Sequence, residues 1–292
     1  MVESNSFSRR AFVVFNYAFM GSLGLLSLLP IIHIWAISFS GSGPVEAGAV
    51  SLWPIGFNTG AYKFILSGDA FHRAFLVSLE RLALGTVIGM FVVILTAYPL
   101  SKEPNAFRLR SVYVWYLVVT MLIGGGLVPQ YMTYRSYGLL DSIWVLVLPG
   151  ALAVYHVILM LNFFRGLPKA LEEAALIDGA GQLTVLLRIY LPLSLPALAT
   201  IALFTMVSHW NSWFDGLLFM NRTEHYPLQT YLQTIVVRPD LSQLSNIDAF
   251  QNISERTVKT AQIFLGMIPI LLVYPFLQRF FMQGIVLGSV KE

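Results

Sequence analysis

The sequence contains no cysteine among its 292 residues. Disulfide bridges, thiolate metal sites and cysteine nucleophiles are therefore excluded as a basis for its stability or activity. Charged side chains are also scarce: they make up 11% of the residues, against roughly 25% in a typical soluble domain. Hydrophobic residues account for 57%. This balance predicts a polytopic membrane protein rather than a soluble one.

Several motifs that would indicate catalysis are missing. No G-x-x-x-x-G-K-[ST] phosphate loop occurs, so the chain cannot hold ATP by that device. No G-x-S-x-G nucleophile elbow occurs, and the five histidines show no metal-binding spacing such as H-x-x-x-H. The net charge is only +3, without a run of five basic residues, which leaves nucleic-acid binding unsupported. The sequence indicates neither an enzymatic site nor a metal site.

Long apolar runs occupy most of the chain. A helix needs about 20 mostly apolar residues to cross roughly 30 Å of hydrocarbon, and six segments meet that requirement. Arg9 and Arg10 precede the first run as they would in a signal peptide, but the run over 11–37 is too long for one, so we interpret it as a retained span. The sequence therefore predicts an all-α membrane protein with six transmembrane helices, at residues 12–37, 74–99, 111–131, 142–163, 196–220 and 260–282.

The distribution of Lys and Arg between the loops favours cytoplasmic N- and C-termini. With that orientation the inner side carries ten Lys and Arg residues and the outer side seven, and the short loop 100–110 supplies much of the difference. The loop 164–195 then faces the cytoplasm. The two long loops 38–73 and 221–259 lie outside, where their size suits contact with a soluble partner.

The cytoplasmic loop contains signals for two short helices. Pro168 fits the first turn of a helix, where its missing N–H is harmless, and the residues KALEEAALI that follow are strong helix formers. The residues DGAG end this helix, with Gly179 suited to a left-handed position at its C-terminus. A second helix begins at QLTVLLRIY, meets Pro192 and enters the fifth span. Taken alone, this composition would also fit an ordinary amphipathic connector.

The order of residues in this loop resembles the EAA loop of ATP-binding-cassette (ABC) importer permeases. The pattern here is Glu173-Ala174-Ala175, then Gly179, then Ile189 and Leu191-Pro192. Four further stretches, AYPLSK, GGGLVP, HWNSWF and YPFLQRFFMQGIVLGSVKE, resemble carbohydrate-uptake permeases of this superfamily. The likeness is greatest to the branch that serves complex oligosaccharides and includes a bacterial alginate importer. It covers the chain from the second span to the C-terminus.

This resemblance implies the type I ABC importer permease fold, with residues 1–292 forming a single transmembrane domain in a bacterial inner membrane. It implies four kinds of partner: a homologous second permease, two cytoplasmic ATPase subunits, an extracytoplasmic solute-binding protein, and an oligosaccharide substrate, acidic if it is like alginate. ATP and Mg²⁺ would be bound by the ATPase subunits, and this chain would bind no cofactor. The loop 167–192 would dock in a groove on the ATPase through Glu172, Glu173, Ala174, Ala175, Asp178, Gly179, Ile189, Leu191 and Pro192.

Polar residues and glycines within the spans are candidates for the translocation path. Glu80 and Arg81 lie near the outer half of the second span, where a charge is expensive and usually faces a protein interior or a water-filled cavity. They could line the sugar path, form a structural pair or lie at the outer interface. In the third span, Gly124–Gly126 precede Pro129 and predict a helix break or close packing. Gly125 is a further path candidate.

The fifth span carries the stretch SHWNSWFDG, in which His209 and Trp213 are predicted to lie one helical turn apart. Sugars are bound by flat apolar rings together with amides or carboxylates. Trp210, Asn211 and Trp213 are therefore path candidates. The same tryptophans would also suit the aromatic belt at the outer membrane interface.

Two other functions stay open at this point. An ion-coupled secondary transporter would need an intramembrane ionisable residue, for which Glu80 is the best candidate, but the internal repeat common in such transporters is not found. A membrane-embedded enzyme would need a cluster of catalytic side chains, and none is evident. We predict a permease subunit of an ATP-driven oligosaccharide importer that carries out no bond chemistry.

Overall fold

The computed structural model describes residues 7–237 and 253–289, and within those ranges all regular secondary structure is helical. Residues 238–252 of the predicted outer loop lie outside the described residues. The α-helices are α1 Phe7–Ser38, α2 Ser42–Glu46, α3 Gly60–Ser67, α4 Asp69–Ser101, α5 Arg110–Leu122, α6 Leu127–Ser136, α7 Ile143–Val147, α8 Val154–Arg165, α9 Lys169–Ile177, α10 Gln182–Val185, α11 Leu191–Leu193, α12 Leu195–Asn211, α13 Phe214–Phe219, α14 Leu228–Val237 and α15 Glu255–Ser289. A π-helical segment, Leu186–Tyr190, joins α10 to α11.

The chain divides into two compact units. The first comprises Met1–Asp69 and Thr234–Ile268, and the second comprises Ala70–Gln233 and Pro269–Glu292. In the first unit, a small buried core at the end of α1 includes Ile37 and Val45. The side chains of α1 that precede this core are mostly exposed within the chain, as is usual for a membrane-length apolar helix that faces lipid or another subunit.

The main core of the second unit forms where α4, α8, α10 and α12 meet. Val93, Met160, Val185 and Ile201, one from each region, are at most 1% exposed. Gly85 of α4 leaves room for the His209 side chain of α12. A Cβ atom there would lie 2.3 Å from Nε2 of the His209 ring, well inside van der Waals contact.

Three described helical segments are long and apolar enough to cross a membrane: Arg9–Ser38, Asp69–Ser101 and Glu255–Val273. They coincide with the first and second predicted spans and with the beginning of the sixth. In each case an uninterrupted apolar run of sufficient length gives an uninterrupted helix.

The third predicted span is bent rather than straight, and the fifth begins just after a second bend. Helices α5 and α6 meet at 113°, and the segment Gln182–Leu193 meets α12 at 81°. The break between α5 and α6 was expected from the glycines, and Gly126 adopts a φ of +84°, which glycine accepts at no steric cost. If each bent pair makes one crossing, the described chain contains up to five spans.

The fourth predicted span is divided. Helix α7 ends at Val147 and α8 begins at Val154, with the residues LPGALA between them. Neither piece reaches membrane length. The prediction of six continuous spans is therefore not confirmed. Hydropathy reports only how apolar a segment is. Proline lacks a backbone N–H donor, and glycine favours non-helical conformations, so both can break a helix. Neither makes the segment less apolar, and the breaks therefore do not show in the hydropathy.

Candidate functional site

Helix α9 is the first of the two helices predicted in the cytoplasmic loop, and its C-terminus is closed by a glycine. Pro168 lies immediately before the helix rather than in its first turn. At the other end Gly179 has a φ of +81°, which confirms the predicted left-handed position. The Gly179 N–H donates to the Leu176 carbonyl (3.1 Å) and the Ala180 N–H donates to the Ala175 carbonyl (2.9 Å). These two bonds form a Schellman motif, which fixes the reversal of the chain.

The second predicted helix is present but changes geometry along its length. It runs from Gln182 through α10, the π segment and α11 to Leu193. At Ser194 the chain turns through 81° into α12, so the loop enters the fifth span through a sharp bend. The bend lies between Pro192 and Pro196, two residues that interrupt the backbone hydrogen bonds of a helix.

The predicted docking residues divide into an outward set and an inward set. The outward residues are exposed: Glu173, Ala174, Asp178, Gly179 and Pro192. The inward residues are partly buried: Glu172, Ala175, Ile189 and Leu191. Of the inward residues, Ala175, Ile189 and Leu191 pack against the main core of the second unit.

Large apolar side chains that sequence reasoning had not singled out project from the same two helices. Ile177 is 86% exposed and Leu183 is 64% exposed, and Leu171, Leu176 and Leu187 are each between 43% and 53% exposed. Exposed apolar side chains grouped with polar neighbours are typical of protein interaction sites. We call the surface formed by these five residues and the outward set the docking surface.

Glu172 has a different environment from the rest of the loop. Its carboxylate accepts hydrogen bonds from the Lys102 ammonium (2.5 Å) and from the Tyr190 hydroxyl (2.5 Å). Burial alone would raise the pKa of Glu172, but these hydrogen bonds and the Lys102 charge lower the pKa below its usual value. Lys102 also lies over the Tyr98 and Tyr190 rings, 4.1 and 4.6 Å from their centroids. Glu172 therefore holds α9 against the residue that follows α4 and against the π segment, within the same chain.

A cavity of about 220 Å³ lies in the second unit, lined by apolar residues and by eight polar side chains for which we call it the polar cavity. Breaks in the helices line it: Pro149 and Gly150 lie between α7 and α8, and Ser212 follows α12. Its polar lining consists of Arg81, Gln130, His156, Thr205, Ser208, His209, Ser212 and Asp215. In a membrane protein, irregular backbone is tolerated where it is buried in protein or lines a water-filled cavity.

Arg81 is the centre of the polar contacts in this cavity and is only 3% exposed. Its Nη1 donates to Oδ1 of Asp215 (3.2 Å), and its Nη2 forms a second, shorter bond with Oδ2 of the same carboxylate. Arg81 also contacts Nδ1 of His209 (3.5 Å) and the Ser212 carbonyl (3.4 Å). The sequence left three explanations open for Arg81. The structure supports two of them together, because Arg81 forms a structural ion pair and also lines a cavity. The pairing of Arg81 with Asp215 was not predicted, although a carboxylate inside an apolar run is a signal of this kind.

The other predicted path residues lie elsewhere and are not among the described residues that line the cavity. Trp210 is 2% exposed and packs edge-to-face on Phe75, with 6.0 Å between ring centroids. Glu80, Gly125 and Asn211 are exposed on the chain, and Trp213 is 38% exposed. Because α12 ends at Asn211 and Ser212 is extended, the predicted placement of His209 and Trp213 one helical turn apart is wrong.

On the outer side of the predicted topology, Asp141 links two loops. It has a φ of +59° and accepts hydrogen bonds from the backbone N–H groups of Asn221 and Arg222, from Nε of Arg222 (2.6 Å) and from Nδ1 of His225 (3.0 Å). Burial raises the pKa of Asp141, but these bonds outweigh it and lower the pKa to about 2. The carboxylate therefore holds the start of the long outer loop against the residues before α7.

These features define a class of protein. Membrane-length apolar helices, broken helices around a polar cavity and an exposed helix pair with an apolar surface are the parts of a membrane transport subunit. No family model matches the chain. Individual proteins do match it, however, over nearly its whole length.

The polygalacturonan/rhamnogalacturonan transport system permease protein YtcP of Bacillus subtilis (strain 168) is 39% identical over 284 residues, which cover 97% of this chain and 99% of YtcP. Among solved structures, a bacterial ABC transporter involved in the import of the acidic polysaccharide alginate superposes with a TM-score of 0.88 at 33% identity, covering 94% of this chain and 98% of the other. The bacterial alginate ABC transporter in complex with alginate pentasaccharide-bound periplasmic protein shares the fold, with a TM-score of 0.57, 19% identity and coverage of 92% and 93%. The chain belongs to the permeases of sugar ABC importers.

Proposed function

We propose that this chain forms half of the translocation pathway of an ATP-driven oligosaccharide importer and couples to cytoplasmic ATPase subunits through residues 167–192. The observation that carries the proposal is the docking surface. It combines exposed apolar side chains with two exposed carboxylates, Glu173 and Asp178, on a helix pair of fixed geometry.

Two features of the helix pair support a docking role. The reversal at Gly179 is open, because no atom lies within 4 Å of the position that a Cβ would occupy, so a partner can approach the backbone closely there. The pair is also joined to α12 by the bend at Ser194 and is packed on the main core through Ile189 and Leu191. A force applied at the docking surface therefore acts on a helix that lines the polar cavity.

The polar cavity supports a place for part of the sugar in the pathway. Its hydroxyl, imidazole and amide groups, from Ser208, His156 and Gln130 among others, can donate to and accept from sugar hydroxyls. The Arg81 guanidinium is already paired with Asp215, so the cavity carries no free positive charge from that residue. The cavity accordingly suits hydroxyl recognition.

The proposed substrate is an acidic oligosaccharide. The likeness to a polygalacturonan/rhamnogalacturonan permease and to an alginate importer supports this choice. Since Arg81 is paired, selection of the carboxylates falls to the solute-binding protein and to the second permease rather than to this cavity.

The proposed assembly contains a homologous second permease, two ATPase subunits that bind ATP and Mg²⁺, and an extracytoplasmic solute-binding protein. The chain would lie in a bacterial inner membrane with both termini in the cytoplasm, because the docking surface must reach the ATPase subunits. The bond chemistry of ATP then belongs to the partners, and this chain supplies the path and the coupling.

The test is uptake by proteoliposomes that contain the complete importer, with its binding protein outside and all ion gradients collapsed. Oligogalacturonates and alginate pentasaccharide are offered separately as probes. The proposal expects accumulation of unmodified sugar that requires ATP inside. Uptake driven by an ion gradient without ATP would identify a secondary transporter, and chemically altered sugar would identify an enzyme. Either result would overturn the proposal.

A further inference from the structure

A cluster of five side chains, which we call the lysine cluster, lies behind the docking surface. It consists of Tyr98, Lys102, Glu172, Gln182 and Tyr190. Lys102 binds the Glu172 carboxylate, the Tyr190 hydroxyl binds the same carboxylate, and the Tyr98 hydroxyl donates to Oε1 of Gln182 (2.8 Å). The Tyr98 and Tyr190 rings meet edge-to-face at 5.1 Å. Every member contacts another member.

The environment of Lys102 distinguishes this cluster from a surface ion pair. Its side chain is 12% exposed and that of Glu172 is 18% exposed, so water screens their attraction only weakly. The ammonium also lies over the faces of two aromatic rings, an arrangement that favours a cation and that strengthens when the groups are shielded from water. The surroundings therefore stabilise a positive charge on the side chain at position 102 and a negative charge on the side chain at position 172.

The members of the lysine cluster come from four different parts of the chain. Tyr98 is in the last turn of the long helix α4, and Lys102 directly follows that helix. Glu172 is in the first turn of α9, Gln182 begins α10, and Tyr190 ends the π segment. Both docking helices are thus tied by side chains to the end of α4, a helix of 33 residues that passes from there to the polar cavity at Arg81.

A second ion pair between the same two segments provides an internal comparison. Lys169 binds Glu103, and it likewise joins α9 to the residues after α4. Their side chains are 68% and 58% exposed, and an exposed pair of this kind contributes little because water and salt screen it. The two pairs have similar positions and differ mainly in burial.

We propose that Lys102 and Glu172 are coupling residues: they transmit displacement of the docking helices to α4, and Glu172 does so from inside the loop rather than by contacting the ATPase. Lys102 is a positioning residue in this scheme, because it acts through Glu172, Tyr98 and Tyr190. The inference rests on the proposed function of the docking surface. It adds a second connection between the docking surface and the polar cavity, which runs through α4, to the direct connection that runs through α12.

The first test uses the complete importer, with the solute-binding protein loaded with oligogalacturonate or with alginate pentasaccharide. In Lys102→Met and in Glu172→Gln complexes the ATPase subunits should stay bound at wild-type stoichiometry. Stimulation of ATP hydrolysis by the loaded binding protein, and uptake, should each fall at least tenfold. Lys102→Arg should retain most of both activities, because a guanidinium keeps the charge over the rings. The matched control, Lys169→Met with Glu103→Gln, should stay within twofold of wild type.

A second test distinguishes transmission of movement from a merely structural role. Because the chain has no cysteine, Lys102→Cys with Glu172→Cys introduces the only thiol pair of this subunit. The reduced protein should be uncoupled, and a short bifunctional thiol reagent should restore at least half of the stimulation by replacing the salt link with a covalent one. Failure to recover after complete cross-linking, with the ATPase subunits still bound, would overturn the proposal.

The outcomes separate this inference from the proposed function. Wild-type stimulation in Lys102→Met, or loss of the ATPase subunits from it, would overturn the coupling role while docking still stands. Absence of ATPase binding and of ATP-driven uptake in the unmodified complex would instead overturn the proposed function, and the coupling role with it.

Discussion

The Arg81 guanidinium and the Asp215 carboxylate form a two-bond ion pair across 134 residues of sequence, with Arg81 almost fully buried. Removing the acid alone leaves a buried cation without its partner, which typically costs about 3–5 kcal/mol, whereas replacing both groups by apolar residues is often neutral. Asp215→Ala should therefore lower the unfolding temperature in detergent markedly, and Arg81→Met with Asp215→Leu should largely restore it. An equal loss in the single and double variants would show that the pair does not act as a unit.

Gly179 should be needed for docking and dispensable for membrane insertion. A left-handed backbone costs a non-glycine residue about 1–2 kcal/mol, and Gly179→Asp also adds a side chain and a negative charge beside Asp178. We expect normal membrane levels but loss of uptake, with ATPase subunits shed or no longer stimulated. Glu173→Lys should act in the same direction but more mildly, since a long side chain can bend aside.

Gly181 offers a matched control for that experiment. It is two residues away, exposed and surrounded by open space like Gly179, but its φ is −74°, so any residue can adopt its backbone. Gly181→Asp adds the same charge without the backbone strain and should retain more activity. If the Gly179→Asp and Gly181→Asp proteins both behave like the unmodified protein, the loop is only a connector.

Trp210 and Trp213 should respond differently to truncation. Trp210 is buried against Phe75, and removing a buried aromatic side chain costs about 3–5 kcal/mol. Trp213 is 38% exposed and contacts Phe214 by one ring edge, so its removal should cost clearly less than that of Trp210. The unfolding of the Trp210→Ala and Trp213→Ala proteins in detergent measures both changes in stability. Reduced uptake by a stable Trp213→Ala protein would support its place in the path, and equal destabilisation would contradict the packing described for Trp210.

The bonds around Asp141 should weaken in acid. The pKa of this carboxyl is lowered to about 2 from an ordinary value of 3.8, so the folded state favours the charged form. The stabilisation is complete above about pH 4 and is lost as the pH falls towards 2. Hydrogen exchange at the Asn221 and Arg222 amides, corrected for intrinsic rates, should accelerate in that window. Asp141→Asn keeps a residue that tolerates the φ of +59°, and it should remove the pH dependence. An unchanged profile in that variant would assign the effect to another group.

The orientation in the membrane can be tested with a reporter that is active only outside the cytoplasm. Fused within residues 221–237 it should be active, and fused within 169–190 it should be silent. The physical reason is the excess of Lys and Arg in the short loops on the side of the docking surface. The reverse pattern would contradict the docking proposal, since the loop would face away from ATP.

Composition and local pattern determined the class of this protein. Scarce charge and long apolar runs require a membrane, and they predicted α1, α4 and the first part of α15. Gly179 was predictable because a helix of strong formers that ends in DGAG needs a residue with positive φ. The motif order in residues 173–192 indicated the family, which the relatives then confirmed.

Only the tertiary structure decided the inner contacts of the site. Arg81 and Asp215 are 134 residues apart, and Lys102 and Glu172 are 70 apart, so no local pattern links them. Glu172 and Glu173 are adjacent and chemically identical, yet one is held inside by Lys102 and Tyr190 and the other is exposed. The direction in which each points depends on how α9 packs against the end of α4. The glycines predicted a break or close packing in the third span, but the angles of 113° and 81° were not predictable. Hydropathy measures how apolar a segment is, whereas the path of a helix depends on where its backbone hydrogen bonds are interrupted.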